Sequence, residues 1–314
     1  MTELLRPDIP LPRPNTDDPR IGNLIGAATT AETADVVLVG FPTDEGVRRN
    51  GGRPGAAEGP DAIRRALWPM TPDAERSDDF MDLVNGTADL GNLAITGDLD
   101  ADQEALGRVL APHLIRGAVA IILGGGHETA FGHFLGHVAA GQSVHILNWD
   151  AHPDVRPLKE GRGHSGSPFR QALEHPSGLC RGYTVAGLNP PSVTRAHLNY
   201  LDEHRCEAHF NTSISFTAVE SIYAAREEAT MVTFDLDALD QAAAPGVSAP
   251  ATAGFSPHVW LYAAHKAGVC STVRSIDVVE LSPPLDPDGR TARLAARTVW
   301  EFLRGMVRRL SEDD

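Results

Sequence analysis

Short apolar runs recur along the chain, and each ends abruptly in glycine or in polar residues. DVVLVGF (35–41), AVAIIL (118–123), SVHILN (143–148), YTVAGL (183–188), MVTF (231–234) and VRSIDVV (273–279) are the strongest, and TADLGNL (87–93) is a weaker example. Predominantly apolar runs of this length belong to strands covered on both faces, as in parallel sheets. Helical patterns fill the intervals at 61–67, 102–116, 128–140, 192–204, 217–228, 256–268 and 290–309. Ser256 is placed as an N-cap with Pro257 at the first helical position, and Pro60 opens the helix at 61 in the same manner. Strand-then-helix alternation from about residue 35 to 309 predicts one α/β domain with a mainly parallel central sheet. The domain is set at 34–314, and the Pro- and Asp-rich stretch 1–33 is read as an extended N-terminal arm. Two segments between elements are long: a polar, Gly-rich loop from Pro42 to Gly59, and a charged loop from Asp150 to Ser167. Long loops in a compact domain are usually functional.

Composition removes several classes of partner. With 27 Lys+Arg against 42 Asp+Glu the formal charge is −15, which disfavours nucleic acid and anionic membranes. An apolar fraction of 42% with 22% charged residues is that of a folded globular chain. The three cysteines, Cys180, Cys206 and Cys270, are scattered and suggest no disulfide framework, so a cytoplasmic setting is expected. The N-terminal sequence has no apolar core of a signal peptide, and no apolar stretch approaches the ~18 residues of a membrane span.

Residues of chemical interest fall just beyond the apolar runs, where ligands bind in open α/β sheets. Gly124-Gly125-Gly126 follows AVAIIL and leads into His127; glycine there lets the backbone turn sharply beside a ligand. Asp150, His152 and Asp154 alternate at spacing two, which in an extended segment puts three side chains on one face. Carboxylates held side by side repel, and a divalent cation relieves the repulsion. Asp235 and Asp237 repeat the spacing directly after MVTF, where acids are costly to desolvate without a counter-charge. Asp240 beyond them reads as a structural acid, and Asp277 and Glu280 at the end of VRSIDVV are a weak signal alone. Taken together, His127, Asp150, His152, Asp154, Asp235 and Asp237 suit a pair of hard or borderline divalent ions such as Mn2+. Cysteine is absent from these segments, which argues against structural zinc. A two-metal centre makes hydroxide available at neutral pH.

The segments, in this order, resemble those of the ureohydrolases: arginases, agmatinases and formimidoylglutamases. The resemblance runs from about residue 35 to 303. It implies the three-layer α/β/α arginase-like fold and two manganese ions per subunit. It assigns the same six residues as ligands, with Asp150 and Asp235 bridging. GFPTDEGVRRNGGRPGAAEGPDAIR (40–64), GGGHETAFGH (124–133) and APGVSAPATAGF (244–255) look most like the formimidoylglutamase branch. Arginases and agmatinases usually read Gly-Gly-Asp-His where this chain has Gly126 in the acid's place. The formimidoylglutamase branch commonly carries the glycine, often with a glutamate at the position of Glu128. Where arginases and agmatinases place a His-Gly pair, thought to shuttle protons, this chain reads Ser165-Gly166, with His164 just before. Either His164 substitutes or no His shuttle is needed. Gln241, where relatives usually have proline, alters a turn.

The activity that the resemblance implies is hydrolysis of N-formimidoyl-L-glutamate to L-glutamate and formamide in histidine degradation, by a homo-oligomer of three or six subunits. In that scheme Glu280 orients the cationic amidine and Asp154 handles a proton. The two substrate carboxylates need cations, and arginine is the usual bidentate partner. Arg156, two residues after Asp154, is the first expectation; Arg48, Arg49 and Arg53 in the Gly-rich loop are the second, and Ser165 joins the substrate-binding set. The alternative is another ureohydrolase, agmatinase- or guanidinobutyrase-like, releasing urea from a guanidino substrate. The arginine-rich loops would repel the cationic tail of agmatine. A zinc deacetylase would need a His-His pair, which the chain lacks. A non-catalytic homologue would be expected to have lost ligands, and none of the six is missing.

Overall fold

Each apolar run becomes a strand. In the computed structural model, which describes residues 3–26 and 29–312, the strands are β1 (Leu4–Leu5), β2 (Val36–Phe41), β3 (Thr87–Leu93), β4 (Val119–Gly124), β5 (Val144–Trp149), β6 (Cys180–Leu188), β7 (Glu207–Phe210), β8 (Thr230–Asp235) and β9 (Val273–Val279). They form one nine-stranded sheet in the order β1-β3-β2-β4-β9-β8-β5-β6-β7. Every pairing is parallel except β1 against β3. Residues of β2, β4, β5 and β8 are buried throughout, which is why those runs show no polar alternation.

The helices are α1 (Ile21–Leu24), α2 (Glu45–Asn50), α3 (Gly59–Leu67), α4 (Ser77–Asn85), α5 (Leu99–Ile115), α6 (Thr129–Ala139), α7 (Pro168–Leu173), α8 (Arg195–Glu203), α9 (Phe216–Ala224), α10 (Pro257–Val269) and α11 (Arg290–Glu312). Alternate strand residues face opposite layers. Leu38, Ile121, Trp149, Phe234 and Ile276 pack on α3, α4, α9, α10 and α11. Val39 and Ile122 pack on α5, and Ile146 and Val185 on α6, α7 and α8. This is a three-layer α/β/α architecture with the sheet in the middle. Helices α10 and α11 cross at Gly268 and Gly305. A Cβ on Gly268 would lie 2.1 Å from the Phe302 carbonyl oxygen, so only glycine permits that approach.

Six helices and strands were not foreseen from the residue patterns: α1, α2, α4, α7, β1 and β7. The Gly-rich loop contains α2, too short to show a period, and α4 follows a polar stretch. Strand β7 is polar because it is a sheet edge. The first 33 residues are partly tied down: Leu4 and Leu5 pair with Leu93 and Asn92, and Ile21 is fully buried. The Ile21 and Gly22 amides donate to the Met70 and Trp68 carbonyls. Between Arg6 and Arg20 the chain has no helix or strand.

Candidate metal centre and cavity

Strands β4, β9, β8 and β5 are consecutive in the sheet, and their carboxyl ends deliver His127, Glu280, Asp235 and Asp150 to one place. Register fixes the spacing. Phe234 pairs with Trp149, so Asp235 and Asp150 emerge side by side; the Glu280 amide donates to Gly125 at 2.8 Å.

Two sets of donor atoms result. His127, Asp150, Asp154 and Asp235 form one, and Asp150, His152 and Asp237 the other, each within 4.8 Å of one another. Asp150 belongs to both. His127 Nδ1 lies 2.9 Å from Asp235, 3.0 Å from Asp154 and 3.3 Å from Asp150. His152 Nδ1 lies 3.1 Å from Asp237 and 3.5 Å from Asp150. Donors at right angles, each about 2.1 Å from a shared ion, are about 3 Å apart. The resemblance expects Asp235 to bridge as well, yet its carboxylate groups only with the first set; Oδ1 accepts the Asp237 amide at 2.8 Å. Asp154 has a φ of 44° and Glu280 of 68°, strained conformations of the kind held at functional sites.

The donor set fits a cation on three grounds. His127 Nδ1 is buried and has no hydrogen-bond partner, although it faces carboxylate oxygens. Its other nitrogen, Nε2, pairs with Thr233 Oγ1 at 2.9 Å; with the Thr233 hydroxyl accepting, a neutral His127 aims its Nδ1 lone pair at the cluster. Without a cation, burial works against ionisation of two of the acids, while His127 and His152 hold Asp150 low. Burial, then the charges of Asp237 and Asp150, raise Asp235 well above the ordinary carboxylate range. Burial lifts Asp237 to about 6. Asp150 is oriented in turn by Asn148 Nδ2 at 2.9 Å, and Asn148 also donates to Tyr183 Oη at 3.0 Å.

Above this floor opens a cavity of about 370 Å³. Its wall includes Asn50, Arg53, Arg156, Ser165 and Ser248, opposite Asp154 and Glu280. Glu280 Oε1 accepts the His127 amide at 2.8 Å, and burial with the nearby Glu128 and Asp237 raises it to about 8. Of the expected arginines, two reach the cavity. Arg156 Nη1 donates to Asn50 Oδ1 at 3.2 Å; Arg53 Nε donates to the Ser248 carbonyl at 2.9 Å and Nη2 to Val247 at 2.8 Å. Arg48 and Arg49 are not brought to the site. Arg48 pairs with Asp44 at 3.0 Å, and Arg49 donates to the Gly163 carbonyl at 2.6 Å. His164 is also absent from the wall. Its Nε2 pairs with the Pro157 carbonyl at 3.1 Å and its Nδ1 accepts the Gly166 amide at 3.1 Å, so both nitrogens hold the loop.

Pattern reading missed Thr233, Asn148 and Asn50. The first two had a signal: each is a polar residue inside a buried strand, two places before a candidate ligand and on its face. The paired differences at 126 and 128 also acquire a cause. Glu128 is fully buried, its Oε1 accepts the Gly46 amide at 2.8 Å, and a Cβ on Gly126 would sit 2.2 Å from Oε2. An acid at 126 and a glutamate at 128 compete for the same space.

Comparison with known proteins agrees with this geometry. The arginase family's sequence profile matches residues 34–305. The formimidoylglutamase of Rhodococcus opacus (strain B4) is 39% identical over 288 residues, covering 87% of this chain and 86% of the relative. That of Geobacillus thermodenitrificans (strain NG80-2) is 36% identical over 297 residues, covering 90% and 88%. The crystal structure of Trypanosoma cruzi formiminoglutamase with Mn2+ superposes with a TM-score of 0.86 at 32% identity, covering 93% of this chain and 100% of that one. Profile, sequence and fold agree over nearly the whole length, and the chain belongs to the arginase family.

Proposed function

We propose that this protein is a formimidoylglutamase, hydrolysing N-formimidoyl-L-glutamate with one water to L-glutamate and formamide. The single observation that supports it best is the pairing of a His/Asp metal cluster with a wall bearing Arg156 and Arg53 in one cavity. A cationic amidine suits the acidic floor, and a dicarboxylate tail suits the wall. The relatives of similar sequence carry the same name.

The reading includes two manganese ions per subunit, one for each donor set, with Asp150 shared. When bound, such a pair supplies a hydroxide nucleophile at neutral pH and polarises the substrate. His127, Asp154 and Asp235 would hold one ion, and His152 and Asp237 the other. Glu280, buried and anchored on the His127 amide, faces the amidine; bound cations would favour its carboxylate form, which balances the positive charge of the amidine. Asp154, at the cavity surface, receives a proton and returns one to the departing glutamate nitrogen. Arg156, Arg53 and Ser165 bind the carboxylates. His164 has no part in proton transfer in this scheme, because both its nitrogens are tied to backbone. Arg48 and Arg49 shape the loop that carries Asn50. A cytoplasmic setting and a homo-oligomer of three or six subunits complete the reading. The free cysteines are compatible with the first; for the second the support is the family resemblance. No described helix is long and apolar enough to cross a membrane.

The test is a product-resolved assay of the manganese-loaded protein with N-formimidoyl-L-glutamate, agmatine and 4-guanidinobutyrate. Formamide from the first, with no urea from the others, is the expected result. Urea release from a guanidine would replace this reading with the urea-releasing alternative.

A further inference from the structure

Asn50 ends helix α2 at the cavity wall. Its Oδ1 accepts from Arg156 Nη1 at 3.2 Å, and its Nδ2 donates to Ser165 Oγ at 3.1 Å. Chemistry fixes this orientation. A guanidinium only donates, so the amide oxygen must face Arg156, and the amide NH2 is left for Ser165. Ser165 Oγ is therefore the acceptor in its bond with Asn50, and its own proton must go elsewhere. Among the described residues no acceptor receives it, and Ser165 lines the cavity. The trio is packed around Gly166. A Cβ there would lie 3.0 Å from both Arg156 Cδ and Asn50 Nδ2, and the Arg156 amide donates to the Gly166 carbonyl at 2.9 Å.

We infer that Asn50 is a positioning residue that sets hydrogen-bond direction, turning Arg156 and Ser165 into a donor-only pair aimed at one carboxylate of the substrate. This rests on the reading of the cavity as a dicarboxylate site. An amide is suited to the task because it accepts at one end and donates at the other. A carboxylate in its place would still accept from Arg156 but would also draw the Ser165 proton away from the cavity and add a repelling charge. An apolar residue would leave both partners unoriented.

The test compares Asn50→Asp, Asn50→Ala, Ser165→Ala and the Asn50→Ala/Ser165→Ala double variant, all loaded with manganese. Formamide release gives kcat and KM, metal analysis gives manganese content, and calorimetry gives the affinity for L-glutamate. Asn50→Asp is expected to raise KM at least thirtyfold and Asn50→Ala about tenfold, with kcat within about threefold of the parent and manganese unchanged. Asn50→Ala should cost measurably less, on the logarithmic scale, when Ser165 is already alanine, because one of the two bonds of Asn50 goes to Ser165. An unchanged KM for Asn50→Asp, or fully multiplicative effects of the two alanine changes, overturns the inference. So does a loss that follows manganese content. The glutamate titration separates this inference from the proposed function. Should the parent protein release no formamide yet bind L-glutamate, with affinity at least tenfold weaker in Asn50→Asp, the assigned reaction fails and the role of Asn50 stands. A parent protein that binds no glutamate removes the role of Asn50.

Discussion

On the floor of the cavity, Asp150, Asp235, His127 and Glu280 stand at the ends of neighbouring parallel strands, and their spacing follows from strand register. On the wall, Asn50, Arg156 and Ser165 come from a six-residue helix and a loop, and side-chain hydrogen bonds hold them together. Floor residues are costly to bury; amide donors hold Asp150, Asp235 and Glu280, and a shared cation would relieve the charge that the ligands keep. On the wall Asn50 and Arg156 are half-buried and Ser165 is buried, and the three pair with one another. A change on the floor should therefore remove chemistry, and a change on the wall should remove affinity.

The largest effect is expected at Asp150, the residue common to both donor sets. Asp150→Ala should lose both manganese ions and about three orders of magnitude in kcat, read by metal analysis and steady-state kinetics, with the far-UV spectrum preserved. Asp235→Asn should lose at least one ion; full occupancy with full activity would remove it from the ligand set. Next comes the wall. Arg156→Ala should raise KM for the dicarboxylate substrate about 10- to 100-fold, a cost of about 1.5–3 kcal/mol, while manganese content stays at the parent value. A fall in kcat with metal loss would erase the distinction between floor and wall.

A third expectation concerns pH. In the metal-free protein, Glu280 is raised to about 8, Glu128 to about 7 and Asp237 to about 6, all chiefly by burial. The folded state then binds more protons than the unfolded chain, so stability falls as pH rises. His127 and His152 act in the same sense: both are raised, and their contribution is lost as pH climbs through the folded value. Chelated protein should melt at lower temperature at pH 8 than at pH 6, and manganese should raise the melting temperature more at pH 8. Equal protection at both values would mean that the acids do not hold protons in the absence of metal. Gly126→Ala should cost about 1–3 kcal/mol by crowding Glu128 Oε2, and Glu128→Ser should recover most of it in denaturant melts. His164→Asn is the smallest: kcat should change less than about threefold, because the ring faces loop backbone. A fall of a hundredfold or more with manganese retained would reinstate His164 as a proton carrier.

The same contrast explains what was legible in the sequence. Apolar runs buried on both faces announced the inner strands, and acids directly after them announced the floor, because few chemistries place carboxylates there. Spacing two at Asp150, His152 and Asp154 marked residues that the fold gathers, but not through one extended face: the segment bends, Asp154 has a φ of 44° and joins the His127 set, and His152 joins the Asp237 set. The wall was harder to read. Arg48, Arg49, Arg53 and Arg156 look alike as letters, and only the fold shows that Asp44 and the Gly163 carbonyl occupy the first two. His164, next to the position of a family histidine, faces away for the same reason: the loop's own backbone claims both nitrogens. Asn50 lies in a stretch whose helix is too short to display a period. Strand β7 and the pairing of Leu4 and Leu5 escaped because edge strands need no apolar face.

A crystal structure of the manganese-loaded protein with L-glutamate, with anomalous scattering recorded at the manganese edge, tests floor and wall together. The account predicts two ions per subunit with Asp150 touching both, and the glutamate carboxylates on Arg156 with Ser165 and on Arg53. One ion per subunit, or glutamate carboxylates that leave Arg156 and Arg53 without contact, would contradict it.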